Sequence, residues 1–226
     1  MTKHHSAMSY IADRRQEEKD RRRAEIVDAA ENLYQELGWD AVTMDSVARR
    51  ARLSRALVYV YFKDKRELHF AIADRAMVVL RTRFEEASAR AMNGLEQITA
   101  IGRAYMAYGL EFPHYFDACA RLELRATEAS VPGPQEAAAL DTGNKIHEVV
   151  VASLLAGQRD GSIREDIGDP AVTSRVLWGF THGLIQIAIT KGQPLAEVGI
   201  SVTQLTQQAT ALMRYTLAGP KAGLAD

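Results

Sequence analysis

The sequence predicts an all-α protein with about nine helices, and three observations support this fold class. Apolar residues recur three and four positions apart in almost every segment, as they do between Ile26 and Leu37, and this is the period of a helix with one buried face. Helix-breaking residues separate these segments, for example at Gly38, Asn93-Gly94 and Pro113. We find no convincing strand and no internal repeat.

The N-terminal elements follow from these signals in order. A first helix ends at Gly38, and a short second helix begins after Thr43, whose hydroxyl suits the N-cap position. A third short helix follows Ser54, and a long element starts at Lys65. The first 15 or so residues are predicted to form a loosely ordered arm.

The C-terminal elements are separated by equally clear signals. Pro132-Gly133-Pro134 is the clearest loop, and Asp169-Pro170 suits the start of a helix because Asp can cap and Pro fits the first turn. Gly192 to Pro194 should end that helix, and the tail from Gly219 should be loosely ordered. The predicted helices here span about residues 95–112, 135–159, 170–191 and 198–217.

Composition narrows the class of protein. The 226 residues are 47% hydrophobic and 25% charged, which are ordinary values for a globular protein with a sizeable core. The single cysteine, Cys119, excludes an internal disulfide and a cysteine-rich zinc site. There is no apolar run of about 18 residues and no signal-peptide core at the start. We therefore expect a cytoplasmic protein, and its length allows one large domain or two small ones. The N-terminal motif described next places the boundary between residues 1–68 and 69–226.

Within residues 43–68, local secondary-structure propensity and the spacing of the apolar residues predict different structures. The run LVYVYF within them is β-branched and aromatic, and by propensity it favours a strand. Counted from Met44 as position one, apolar residues fall at positions 4, 8, 10, 15 and 18, with small Ala48 at position 5. This spacing is typical of a helix-turn-helix, in which two short helices cross steeply. The apolar positions are Val47, Ala51, Leu53, Val58 and Tyr61.

The same register predicts a face for DNA. Ser54 would cap the second helix of the motif, and recognition helices present the residues near their start to base edges. The flanking lysines and the tyrosine hydroxyls are suited to phosphates. The residues that this register turns outward or places beside the helix are Arg55, Ala56, Tyr59, Tyr61, Lys63 and Lys65.

About 45 residues, from Ile26 to Leu68, resemble the DNA-binding domain of the tetracycline-repressor (TetR) family. The shared features are the Ala pair of the first helix, Gly38, Thr43, Val47-Ala48, Ala51, Ser54, Tyr59, Tyr61-Phe62, Lys65 and Leu68. A weaker similarity covers GSIREDIGDP and the following LWGFTHGL, the run that enters the penultimate helix of many members.

The resemblance implies a role for each matching position. Thr43 would cap the second helix and bond a phosphate, while Ser54, Arg55 and Ala56 would meet DNA. Tyr59 would lie along the groove wall, and Tyr61 and Lys65 would contact phosphates.

Three positions depart from the family pattern. Arg52 replaces the turn glycine, so a left-handed backbone there would cost on the order of 1 kcal/mol, and its side chain would add a phosphate contact. Leu57 and Val60 stand where the family often has Thr and His. Apolar contact with thymine methyl groups would replace the lost polar contacts.

Charge adds modest support for a polyanion partner. Residues 43–68 hold seven basic and three acidic residues, which suits DNA, although a solvated charged face would show the same excess. The N-terminal arm carries Arg14, Arg15, Lys19 and Arg21 to Arg23. It would touch DNA or, since acidic residues are interleaved, form a frayed and solvated helix start.

The C-terminal two-thirds has no catalytic or metal-binding motif, so we predict no enzyme activity, no cofactor and no metal site. Aromatic and polar residues there are candidates for a small-molecule pocket, with ordinary core packing as the alternative. These candidates are Tyr105, Tyr108, Phe112, Phe116, Cys119, His147, Trp178 and His182. The effector they suit is partly apolar or aromatic.

In the TetR family the last two helices build a four-helix dimer interface, and this sequence has a suitable stripe. Gly179 and Gly183 share one helical face and would let another helix approach closely. The predicted interface comprises Val176, Gly179, Phe180, Gly183, Ile187, Leu205, Ala209 and Leu212.

The sequence therefore predicts an N-terminal three-helix helix-turn-helix domain and a C-terminal helical domain for ligand binding and dimerisation. The function that the resemblance implies is a ligand-responsive repressor that binds a palindromic DNA operator as a homodimer. Two alternatives are an enzyme with an incidental helix-turn-helix and an interaction module that contacts only proteins.

Overall fold

A computed structural model describes residues 3–125 and 132–222 of the chain. These residues form nine α-helices and a 3-10 turn, Trp39–Ala41, with no strand beyond an isolated bridge between Ile163 and Ala218. The all-α prediction is confirmed. The helices are α1 (Lys3–Leu37), α2 (Met44–Arg50), α3 (Arg55–Tyr61), α4 (Lys65–Ala89), α5 (Gly94–Glu111), α6 (Pro113–Arg125), α7 (Pro134–Asp160), α8 (Pro170–Glu197) and α9 (Val202–Leu217).

The chain divides into two compact units, and the first contains the helix-turn-helix. It comprises Met1–Ile72 together with Val131–Glu136, whereas the sequence predicts a boundary after residue 68. Its small core is formed by completely buried side chains, because α1, α2, α3 and the start of α4 all turn apolar residues inward. These include Ile26, Ala30, Val47, Val58, Phe62 and Leu68.

The first turn of α7 belongs to this unit although it lies far along the chain. Arg66 of α4 donates to both carboxylate oxygens of Glu136, at 3.1 and 3.2 Å. Arg23 of α1 donates to the side-chain oxygen of Gln135. The DNA-binding unit is therefore assembled from two separate stretches of sequence.

Helix α1 begins at Lys3, whereas the sequence predicts a loosely ordered arm up to about residue 15. Its residues 13–21 are exposed, and this part of the helix carries charge pairs one turn apart, which support a helix that has little apolar surface to bury. Glu18 accepts from Arg21 at 2.6 Å and from Arg22 at 3.0 Å, and Arg22 also pairs with Glu25 at 2.9 Å. The interleaved acidic and basic residues thus form ion pairs within one helix.

The second unit comprises Ala73–Ser130 together with Ala137–Asp226, and α5 runs through its centre against α7, α8 and α9. Glycines allow this close packing. A Cβ on Gly94 would lie 2.1 Å from the backbone nitrogen of Gly157, and one on Gly109 would lie 2.4 Å from Ile185. No described helix is both long enough and apolar enough to cross a membrane.

Helix α8 starts as predicted but ends later than predicted. Asp169 caps it by accepting from the Ala171 N–H at 2.7 Å. It then continues through Pro194, and a left-handed Gly199 (φ 78°) ends it. The N–H groups of Gly199 and Ile200 bond the carbonyls of Ala196 and Leu195, which is the pattern of a Schellman motif.

The start of the C-terminal tail is also more ordered than expected. The N–H groups of Gly219 and Lys221 donate to the carbonyls of Ser162 and Gly161, at 2.8 and 3.0 Å. A Cβ on Gly219 would lie 2.5 Å from the Gly161 oxygen, so this close approach requires glycine.

Candidate nucleic-acid interface and effector cavity

The turn between α2 and α3 is held by a strained arginine. Arg52 has φ 56° and is the one described non-glycine residue with positive φ, and this costs on the order of 1 kcal/mol. The N–H of Leu53 bonds the Ala48 carbonyl at 2.9 Å, which closes the turn. The arginine at the position of the usual glycine therefore has the left-handed backbone conformation that favours glycine, and its exposed side chain places a cation at the surface.

Both short helices are capped by the side chains that the sequence predicts. Thr43 accepts from the Ser46 N–H at 3.1 Å, and Ser46 accepts in return from the Thr43 N–H at 3.0 Å. Ser54 accepts from the Leu57 N–H at 3.2 Å. These caps fix where α2 and α3 begin, and their hydroxyls lie at the surface.

The outward face of α3 is open to solvent along its whole length. Arg55, Ala56 and Tyr59 are exposed, and the Arg55 guanidinium lies 5.6 Å from the centre of the Tyr59 ring. Val60 is 76% exposed and Tyr59 is 41% exposed. Tyr61 is half-buried beside the core. Such exposure of a valine and a tyrosine is explained by a surface that binds a partner.

The two lysines after α3 have different surroundings. Lys63 is exposed, whereas the Lys65 ammonium donates to the carbonyls of Trp39 and Asp40 at 2.6 and 3.3 Å. It also lies 4.7 Å from the Trp39 ring centre. The sequence predicts Lys65 as a phosphate contact, but its ammonium also clamps the connection between α1 and α2.

Ion pairs reduce the positive charge that this surface offers to phosphates. Arg49 pairs with Asp45 at 3.1 Å and Arg50 pairs with Glu36 at 2.6 Å. Together with Arg66, three of the seven basic residues are thus neutralised within the unit. Among the described residues, the cations of this stretch that form no ion pair include Arg52, Arg55 and Lys63.

The second unit contains a cavity of about 310 Å³ between its helices. Four of the eight predicted pocket residues line it. The lining residues are Met77, Leu80, Tyr105, Cys119, Gly143, Ile146, His147, Arg175 and Trp178.

A chain of hydrogen bonds forms one wall of this cavity. The Tyr105 hydroxyl accepts from Trp178 Nε1 at 3.2 Å and lies 2.9 Å from Nδ1 of His182, whose ring stacks on Phe116 at 4.4 Å. His147 Nδ1 lies 2.9 Å from the Ser174 hydroxyl.

The two histidines of this region favour their neutral form. Burial lowers the pKa of His182, and burial together with the nearby Arg175 charge lowers the pKa of His147. Both rings are therefore neutral at pH 7 and serve as hydrogen-bonding groups.

Two predicted pocket residues have structural roles instead. Tyr108 is completely buried and donates to the Ala76 carbonyl at 2.9 Å, and burial raises the pKa of its hydroxyl. Phe112 follows the end of α5, where the Arg83 guanidinium lies 4.9 Å from its ring centre. Periodicity marks both as apolar positions, but only packing decides whether an aromatic residue lines a cavity.

Sequence reasoning missed Arg175, which contributes the charged group of the cavity lining. The available signal was its position three residues before Trp178, which places both side chains on the same face of α8.

Helices α8 and α9 expose a continuous apolar face. Val176 is 64% exposed and Phe180 is 42% exposed, while Gly179 and Gly183 have open space where a Cβ would lie. Ile187 and Leu212 are also exposed. A cavity of about 570 Å³ on this face includes Val176, Phe180 and Leu212.

Two of the predicted interface residues lie differently. Ala209 is buried within its own protomer and Leu205 is half-buried. On α9, exposed Tyr215 extends the face that Leu212 begins.

Comparisons with known proteins agree with this architecture. Residues 26–72 match the family described as bacterial regulatory proteins, tetR family, and residues 98–219 match the tetracyclin repressor-like C-terminal domain. A Rhodococcus sp. RHA1 protein of unknown function superposes with a TM-score of 0.72 at 21% identity, over 87% of this chain and 95% of its own. A TetR/AcrR-family transcriptional regulator from Thermobifida fusca gives 0.65 at 22% identity, over 85% and 96%.

Curated relatives align over a quarter to a third of this chain. The HTH-type transcriptional activator FasR of Mycolicibacterium smegmatis is 35% identical over 57 residues, which is 25% of this chain and 26% of that protein. The chain spans between a quarter and a third of the length of the curated relatives it matches.

Proposed function

Since the chain belongs to the TetR family of bacterial transcriptional regulators, we propose that it is a ligand-responsive repressor. It binds a palindromic DNA operator as a homodimer in the cytoplasm, and a small molecule in the second unit releases it. The observation that carries this proposal is the exposed face of α3, which presents Arg55 and Tyr59. Arg52 precedes this helix and Lys63 follows it, and neither forms an ion pair among the described residues.

The contacts divide by chemistry. Arg52, Tyr61, Lys63 and Lys65 meet phosphates, which supply affinity without sequence preference. The residues that read bases come from the start of α3, and they are Ser54, Arg55, Ala56 and Tyr59. Because Leu57 and Val60 are apolar, thymine methyl groups are favoured opposite them.

The apolar face of α8 and α9 supports the homodimer. A two-fold pair would cover Val176, Phe180 and Leu212 and bring the glycines of one α8 against a helix of its partner. One helix-turn-helix buries little surface on DNA, so a dimer doubles the contact across two half-sites.

Release by a ligand requires that the ligand prefer one conformation over another. Helices α4 and α7 both begin in the DNA-binding unit and continue into the unit that holds the 310 Å³ cavity. They contribute Met77, Leu80, Gly143, Ile146 and His147 to its lining. A ligand that displaces either helix therefore has a covalent route to the first unit.

The test begins with selection of bound sequences from a random DNA pool, followed by titration of the selected duplex. Tyr59→Ala should weaken binding of that duplex. Lys63→Gln should weaken binding on all sequences and lower the salt slope by about two units, one for each protomer of the dimer. Arg159→Gln, which removes an exposed charge at the end of α7, is the matched control. Selection of no sequence, or equal affinity in all three variants, would refute DNA recognition by α3.

The sign of regulation needs a separate assay, since one relative, FasR, is named an activator. A reporter downstream of the selected site should be silenced by the protein and restored in Tyr59→Ala. Higher expression in the presence of the protein would instead identify an activator.

A further inference from the structure

Arg175 is an exposed residue of α8, and among the described arginines of the second unit that form no ion pair it is the one that lines the 310 Å³ cavity. The guanidiniums of Arg81, Arg83, Arg121 and Arg164 each form an ion pair. Among the described residues Arg175 forms none, and its Nη1 donates to the Ala171 carbonyl within its own helix at 3.1 Å. An uncompensated guanidinium on a cavity wall is a site for an anion.

The cavity around Arg175 supplies one positive charge and no more. The other lining residues are uncharged, and His147 beside it favours the neutral form. A singly charged group therefore matches this wall better than a doubly charged phosphate does. A carboxylate matches the planar guanidinium in geometry as well, because two parallel N–H groups can bind its two oxygens.

The remainder of the lining defines the body of the ligand. Met77, Leu80, Ile146 and the Trp178 ring form apolar walls. The volume of about 310 Å³ is near the lower limit for small-molecule pockets and equals that of roughly ten liquid waters. This space suits a compact aromatic or aliphatic group.

We propose that this cavity binds a small carboxylate with an apolar body, and that Arg175 pairs with the carboxylate. His147 and Tyr105 line the same space. The inference rests on the proposed function, which assigns the cavity to the effector, and it adds the chemical class of that effector.

The experiment compares acids with their uncharged amides on the full chain. Phenylacetate and phenylacetamide form one pair, and octanoate and octanamide form another. Calorimetric titration should show at least one acid binding about tenfold or more tightly than its amide, as expected for a charge-assisted contact. Arg175→Gln should remove that difference and leave the affinity for the amide unchanged. Arg159→Gln, the same charge change outside the cavity, should behave as the wild type does.

A second variant tests whether the cavity itself is the site. Gly143 lies on its wall, and a Cβ there would be 3.4 Å from the sulfur of Met77. Gly143→Leu should fill the space and abolish binding of the acid while circular dichroism shows that the protein remains folded. If this variant still binds the acid, the anion binds at the exposed surface of α8 and not in the cavity. That result would overturn the proposal.

Other outcomes separate this inference from the proposed function. Equal affinity for acid and amide, no binding of either acid at millimolar concentration, or an unchanged acid affinity in Arg175→Gln would each overturn the carboxylate inference. If the protein still binds its selected duplex, the regulator role stands. If it binds no duplex but discriminates acid from amide, the regulator role fails and the carboxylate site stands.

Discussion

Replacement of Lys65 should separate the stability of the DNA-binding unit from its affinity for DNA. The ammonium donates to two carbonyls, at 2.6 and 3.3 Å, and lies over the Trp39 ring. A hydrogen bond to a charged group contributes about 1.5–3 kcal/mol, and a partly exposed cation–π contact about 0.5–1 kcal/mol. Because the longer bond is weak and the site is half-buried, Lys65→Met should lower the free energy of unfolding by about 2 kcal/mol.

The assay is urea unfolding of the full chain, with Lys63→Met as the matched control. Lys63 is exposed and its side chain has no such partners, so Lys63→Met should change the free energy of unfolding by less than about 0.5 kcal/mol. Both variants should weaken DNA binding. If Lys65→Met weakens DNA binding but leaves the unfolding midpoint unchanged, its ammonium is a phosphate ligand and not a clamp.

Three further predictions concern the second unit. Gly94→Ala should destabilise it by several kcal/mol in thermal unfolding, because the new Cβ would lie 2.1 Å from the backbone of Gly157. Gly102→Ala is the control and should not destabilise it, because the Met213 side chain is 3.9 Å from the new Cβ. His147 has a lowered folded pKa, so the unfolded chain binds more protons on acidification, and stability should fall below about pH 6.5. The loss of thermal stability between about pH 7.5 and 5.5 should be smaller in His147→Gln; an equal loss in both proteins contradicts this. Phe180→Asp should give monomers in sedimentation and weaker operator binding, and an unchanged dimer would exclude the α8 face as the interface.

Local signals predicted the elements of the DNA-binding unit well. Thr43, Ser54 and Asp169 act as caps because the hydrogen bond each accepts lies within three residues of it in sequence. For residues 57–62 local propensity favours a strand, but the apolar spacing of the helix-turn-helix predicts a helix. The spacing is the better predictor because it combines signals from the whole motif.

Features that depend on distant partners were outside the reach of sequence reasoning. The carbonyls that Lys65 clamps lie 25 and 26 residues earlier. The end of α8 was misplaced because Pro194 is the stronger local signal, yet the bonds around Gly199 decide where the helix stops. Arg175 was missed because only packing shows that it faces a cavity without a carboxylate beside it.

The split origin of the DNA-binding unit limits its use as an interchangeable module. A chimera joined after residue 68 or 72 would carry Arg23 and Arg66 into a foreign protein, while Gln135 and Glu136 would stay behind. The Nε of Arg66 is buried without a hydrogen bond, so losing its carboxylate partner would leave a half-buried charge uncompensated. Swaps of recognition domains between relatives should therefore exchange the first turn of α7 as well. Natural recombination just after Arg66, within the first two turns of α4, faces the same requirement.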